Sequence, residues 1–218
     1  MARPVNADAP ATKARILGSA LDLFADAGMK GVTTREVAAA AGVSLAMIHH
    51  YFGNKEGLYR ACLGSMQDEL SGLGVELKAA LVEGSAAPIA ILERAIRIGF
   101  QFARGHRAAV RLMQRSIVDA GEVDPQIRAT TLLPFLDQIS DALALITGRP
   151  ASRVRLAIQS TIFLVVRYAI SHDSELSLLA DVPPAQACSA SAAALVLIED
   201  HLVESGLAML GISSSGER

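Results

Sequence analysis

The stretch from Thr33 to Asn54 constrains this chain more than any other part of it. Thr33-Thr34-Arg35-Glu36 is a capping box: the Thr33 hydroxyl can accept from the Glu36 backbone N–H while the Glu36 carboxylate reaches back to residue 33. The helix so opened continues through Val37 to Ala41. Gly42 stops it, since glycine takes the left-handed conformation that ends a helix. Ser44 caps a second short helix, Leu45 to Phe52, which Gly53-Asn54 breaks. Helices this short are not stable alone, so each needs an apolar partner. Val37, Ala38, Ala41, Val43 and Ile48 supply the contacts, and the small alanines permit close approach.

The rest of the chain reads as helix as well. Of its 218 residues 51% are apolar and only 4% aromatic. Alanine and leucine dominate, and both favour helix over strand, so the fold class is all-α. Residues 1–11 read as a disordered arm. Thr12 can cap a helix to Ala27 with Ile16, Ala20, Leu21 and Phe24 on one stripe, followed by Gly28 in the left-handed position. A long helix is predicted from Lys55 towards Glu83, then a loop over 84–87. Further helices are predicted from Pro88 to about Arg104, from His106 to Ala120, and from Pro125 to about Thr147 with a bend at Pro134. Ser152–His172 is apolar on nearly all sides. Asp173–Pro184 reads as a loop, Ala185–Leu210 as the last helix, and 213–218 as a flexible tail. The domains expected are a helix-turn-helix over 12–60 and a larger helical body over 61–212.

Two short helices around Ala-Gly-Val-Ser form a helix-turn-helix, in which the first helix braces the second against base edges in the major groove. The run from Thr33 to Ser44, then Ile48-His49-His50-Tyr51-Phe52-Gly53-Asn54-Lys55-Glu56-Gly57-Leu58-Tyr59, resembles the TetR family of bacterial transcriptional regulators. Ala20-Leu21, Leu23-Phe24-Ala25 and Gly28 fit the same pattern, and the likeness covers about residues 12–62. It implies a repressor that binds double-stranded operator DNA. It also implies roles by position. Thr33, Tyr51 and Lys55 fall at phosphate-contact positions, helped by backbone N–H groups at helix starts such as Thr34 and Ser44. Arg35 falls where its guanidinium can reach guanine O6 and N7. Leu45, Ala46, Met47, His49 and His50 form the reading surface, although Leu45 and Ala46 can touch thymine methyls and form no base hydrogen bonds. Phe52 is expected in the core. Adjacent helical residues point about 100° apart, which argues against His49 and His50 as a metal pair, and no metal site is expected.

The body carries fewer signals. Helices 152–172 and 185–210 hold more apolar surface than one core needs, including Ile198 and Leu202, and the resemblance implies a homodimer through these two helices. It also implies a small-molecule effector. Candidate lining residues are Phe100, Met113, Gln114, Phe135, Gln138, Gln159, Phe163 and Tyr168, a set of few amides among apolar groups that suits a mostly apolar ligand. The stripes Arg107, Arg111, Arg115 and Arg94, Arg97, Gln101, Arg104 read as solvated faces, with the alternative that one arginine turns inward to an anion.

Net charge is −2 overall, +2 over residues 1–60 and −4 over the remainder. The sign suits an N-terminal nucleic-acid module, although its size carries little weight. Cys62 and Cys188 lie far apart and read as reduced thiols. The N-terminus lacks an apolar signal region, and Leu156–Ile170 contains Gln159 and Arg167, so a cytoplasmic protein with no membrane partner is expected. No phosphate loop, dinucleotide fingerprint, nucleophile elbow or metal cluster is present, so neither enzyme activity nor a cofactor is expected. The competing readings are an enzyme, or a helical interaction protein whose helix-turn-helix does not read DNA.

Overall fold

The computed structural model describes residues 9–65, 88–123, 125–182 and 187–212. The outer parts of the expected arm and tail (1–8 and 213–218), the continuation of the long helix past residue 65 and the loop over 84–87 lie outside them. Every described element is helical: α1 Ala9–Gly31, α2 Thr34–Ala41, α3 Leu45–Phe52, α4 over residues 55–65, α5 Pro88–Gly105, α6 Arg107–Ala120, α7 Leu133–Thr147, α8 Ala151–Ile170, α9 Asp173–Leu179 and α10 Ala187–Met209.

Contacts divide the chain into two compact units, residues 1–70 with 108–127, and residues 71–107 with 128–218. In the first unit Ile16, Ala20 and Phe24 of α1, Val37, Ala38 and Ala41 of α2, Ile48 of α3 and Leu58 and Cys62 of α4 share one buried core. Leu112 of α6 is fully buried in it too, which brings a segment from far along the chain under the short N-terminal helices. The ring of Tyr59 meets that of Phe24 edge-on at 5.2 Å.

Several boundaries differ from the sequence reading. Helix α1 starts at Ala9, so Thr12 lies inside it and is buried, and residues 9–11 are helical where an arm was expected. Pro10 explains the earlier start, because a first-turn residue needs no N–H. Gly28 takes the expected positive φ, at 71°, but one more turn follows to Gly31. A Cβ on Gly28 would stand 2.7 Å from Nε of Arg115. The α6 guanidiniums hold this corner: Arg111 Nη2 meets Asp26 Oδ1 at 2.5 Å, and Arg115 Nη1 donates to the Asp26 carbonyl at 3.0 Å.

In the second unit α8 packs on α5, α7 and α10, and α10 packs on α5 and α9. The bend expected at Pro134 is a π-helical segment, Arg128–Leu132, placed just before that proline. Proline lacks an N–H and its ring crowds the carbonyl four residues back, and the wider turn accommodates both. Asp173–Leu179, read as loop, forms helix α9 because Asp173 and Glu175 bring negative charge to its first turn. The stripe on α5 is not simply solvated. Arg97 pairs with Glu199 and Asp200, at 3.4 and 2.6 Å, and Gln101 donates to Glu199. Arg104 reaches the Ser171 carbonyl and, with Arg107, the same oxygen of Asp173.

By length and apolarity alone Arg128–Thr147 would reach across a bilayer, as would the bent pair Ala151–Ile170 and Asp173–Leu179. The first contains the π segment and carries Asp137 and Asp141 as exposed charges.

Candidate nucleic-acid interface

The capping box forms as the sequence requires. Thr33 Oγ1 accepts from the Glu36 N–H at 3.2 Å, while Glu36 Oε2 accepts from the Thr33 N–H at 2.7 Å and from its hydroxyl at 2.8 Å. These bonds, the backbone one foremost, hold the Glu36 carboxyl below its ordinary pKa. At the other end Gly42 has φ 62°, and its N–H and that of Val43 return to the carbonyls of Ala39 and Ala38. This paired closure satisfies two orphan carbonyls and turns the chain sharply. Arg15 Nε donates to the Ala41 carbonyl at 2.9 Å, fastening α1 to the end of α2. Ser44 then accepts from the Met47 N–H and starts α3.

Helix α3 turns Ile48 fully into the core and leaves Ala46, His49 and His50 exposed. Leu45, Met47 and Tyr51 are half-buried at its flanks, and the His50 ring meets Tyr51 edge-on at 5.1 Å. Phe52, expected in the core, is only half-buried: as the last residue of α3 it packs against the edge of the core that holds Ile48. Gly53 has φ 75° and ψ −65°, and the Asn54 N–H donates to the Phe52 carbonyl at 2.9 Å. That is a γ-turn of the rare, strained kind, which glycine tolerates best. Asn54 Oδ1 accepts from the Gly57 N–H at 2.7 Å and so caps α4. A Cβ on Gly57 would lie 2.1 Å from the Phe52 carbonyl oxygen.

Thr33, Arg35 and Ser44 are exposed, and Thr34 and Lys55 partly so. Lys55 Nζ donates to the Val32 carbonyl at 3.2 Å, which ties the start of α4 to the turn before α2. An ammonium has three donors, so this bond fixes where the side chain lies without using up its charge. The sequence missed the Lys55 and Arg15 tethers and the Asn54 cap; only the last has a local signal, a polar residue just before a helix start.

A family profile described as bacterial regulatory proteins, tetR family, matches residues 16–62, which run from within α1 to within α4. Over that segment the chain carries the sequence pattern of the TetR family. Among TetR-family relatives it is 36% identical over 148 residues to the HTH-type transcriptional regulatory protein RaaS of Mycobacterium tuberculosis, covering 62% of this chain and 66% of that one. It is 35% identical over 92 residues to BetI of Rhizobium meliloti, covering 42% and 43% of the two chains. The chain thus spans less than two thirds of these relatives' length. A TetR-like regulator from Rhodococcus sp. RHA1 shares the fold over 97% of this chain and 98% of its own, at a TM-score of 0.58 and 17% identity.

The residues expected around an effector fall in both units. Met113 and Gln114 belong to the first unit, the other six to the second. Phe100 is 1% exposed and Phe163 is 56% exposed. Gln138 is exposed, and Phe135, Gln159 and Tyr168 are half-buried, with the Tyr168 ring edge-on to His201 at 6.0 Å. A pocket of about 360 Å³ in the second unit is lined by Arg149, Arg153, Leu156, Ala157, Ser160 and Met209, none of them in that set.

Proposed function

We propose that this chain is a cytoplasmic transcriptional regulator, a repressor that holds a twofold-symmetric operator as a homodimer and is released by a small, mostly apolar ligand. The observation that carries the reading is the outward set on α2 and α3. Arg35, Ala46, His49 and His50 are exposed beside the capped helix starts at Thr33 and Ser44, on a unit matching the family's DNA-binding segment. Exposed N–H groups at helix starts favour phosphate, and Thr33, Tyr51 and Lys55 are the proposed side-chain contacts to it. Two such units in one dimer would enter successive major grooves about 34–36 Å apart.

Gel-shift and anisotropy titrations with the DNA upstream of the chain's own gene test it. Binding should weaken steeply with salt. Lys55→Ala should lower affinity for all duplexes alike, and Arg35→Ala should also relax base preference. Salt-insensitive affinity, or two silent substitutions, would remove the reading.

For release, a ligand that lowers operator affinity a hundredfold must favour the unbound state by about 2.7 kcal/mol, and operator must weaken ligand binding equally. Gln114, Gln138 or Tyr168 is the proposed polar contact. Calorimetry with and without operator measures this coupling, and equal ligand affinities in the two titrations would exclude it.

A further inference from the structure

The His49 ring is locked in one tautomer. Its Nδ1 lies 2.8 Å from the carbonyl oxygen of Gly53. A carbonyl only accepts, so Nδ1 carries the hydrogen, and Nε2 of the neutral ring is a lone-pair acceptor. The γ-turn at Gly53 sets this up, because its φ of 75° and ψ of −65° fix the direction of that carbonyl. His49 is exposed, and the hydrogen bonds of the described residues leave Nε2 unused.

We propose that His49 is a specificity-determining residue that accepts, through Nε2, the exocyclic amine of adenine or cytosine in the major groove. The inference rests on the reading of α3 as the groove-entering helix. In the major groove adenine offers its N6 amine and cytosine its N4 amine, whereas guanine and thymine present carbonyl oxygens at the corresponding sites. A fixed acceptor therefore sorts amino bases from keto bases at one position of each half-site. The neighbouring side chains do not duplicate this function. Leu45 and Ala46 have no polar atoms, Met47 offers only a weakly accepting sulfur, and Arg35 is a donor alone. The His50 ring leans on Tyr51 and makes no tautomer-fixing bond to the described residues.

The experiment selects binding sites from a pool of randomised 30-base-pair duplexes (about three helical turns) using the full chain and its His49→Ala and His49→Gln variants. Thermal unfolding confirms that each variant is folded. The wild-type motif should contain one symmetric pair of positions restricted to adenine or cytosine on one strand. His49→Ala should lose the restriction there and keep every other position. His49→Gln should keep it, because its amide oxygen also accepts. Duplexes carrying purine for that adenine, or 2-pyrimidinone for that cytosine, should bind the wild type roughly fivefold more weakly and His49→Ala no differently. A His49→Ala motif identical to the wild type, or wild-type indifference to amine removal, overturns the inference and leaves the regulator reading standing. A wild-type chain that enriches no sequence overturns both.

Discussion

One carboxylate oxygen closes the first turn of α2. Glu36 Oε2 accepts from both the N–H and the hydroxyl of Thr33, and this lowers its pKa on folding. A carboxyl so lowered stabilises the fold above its unfolded pKa, and that stability is lost as pH falls through the folded value. Glu36→Gln can still form the box but does not titrate. The variant should be less stable than wild type at neutral pH, and the gap should close in acid. Urea unfolding of both proteins from pH 7 to about pH 3 checks this; a constant gap would mean that the carboxylate contributes nothing through its charge. Cys62 responds in the opposite direction. Burial alone pushes its thiol up to about 12, so almost no thiolate exists near neutrality. In a Cys188→Ser background, iodoacetamide should leave the native chain unmodified and label it fully in urea. Rapid labelling of the native chain would show that the core around Leu17 and Leu63 opens readily.

At the scale of elements, the junction of α3 and α4 is a tight turn in the first unit. The γ-turn at Gly53 and the cap from Asn54 bring the first turn of α4 so close to Phe52 that only hydrogen fits on Gly57. The obstacle is a backbone oxygen, which cannot swing aside as a side chain can. Gly57→Ala should therefore destabilise the protein by about 1–3 kcal/mol, despite alanine's better helix propensity. The same strain should displace Lys55 from the Val32 carbonyl and weaken DNA binding. Unchanged urea midpoints would show that the turn relaxes without cost. The helix starts and stops around it follow from neighbours within four residues, which is why Thr33, Gly42, Ser44 and Gly53 were legible in the sequence. The π segment before Pro134 was not, since the sequence marks the proline but not how the preceding turn adapts to it.

At the scale of the whole molecule, α8 and α10 have apolar residues on every side, and the packing decides which face is left outward. Ile198 and Leu202, the seam residues expected from the sequence, are 6% and 0% exposed within one chain. Val196 and Leu197 on α10 are 57% and 50% exposed, and Leu156 and Phe163 on α8 are 64% and 56% exposed. A dimer through these two helices should bury about 2,000 Å² or more. Val196→Arg or Leu197→Arg should then yield folded monomers by light scattering. Ile198→Arg should lower the melting temperature instead, because it puts an unpaired charge into the core. Wild-type monomers at micromolar concentration would end the dimer proposal.

The sequence by itself determined the helical class, the two capped helices and the sharp turn between them. Those depend on backbone groups satisfied by side chains a few residues away, and such interactions survive in any fold that keeps the helices. Tertiary structure alone decided the rest. Arg15 finds Ala41, Lys55 finds Val32, Arg111 finds Asp26, and Arg97 finds Glu199 and Asp200 across separations of 23 to 103 residues. No periodicity announces such pairs, because a charged residue on a helix looks the same in sequence whether it meets water or a distant carboxylate. The direction of α10 is similar. Its alanines, valines and leucines carry no preferred face, so the choice between Ile198 inside and Val196 outside falls to the shapes of α5, α8 and α9 against which it packs.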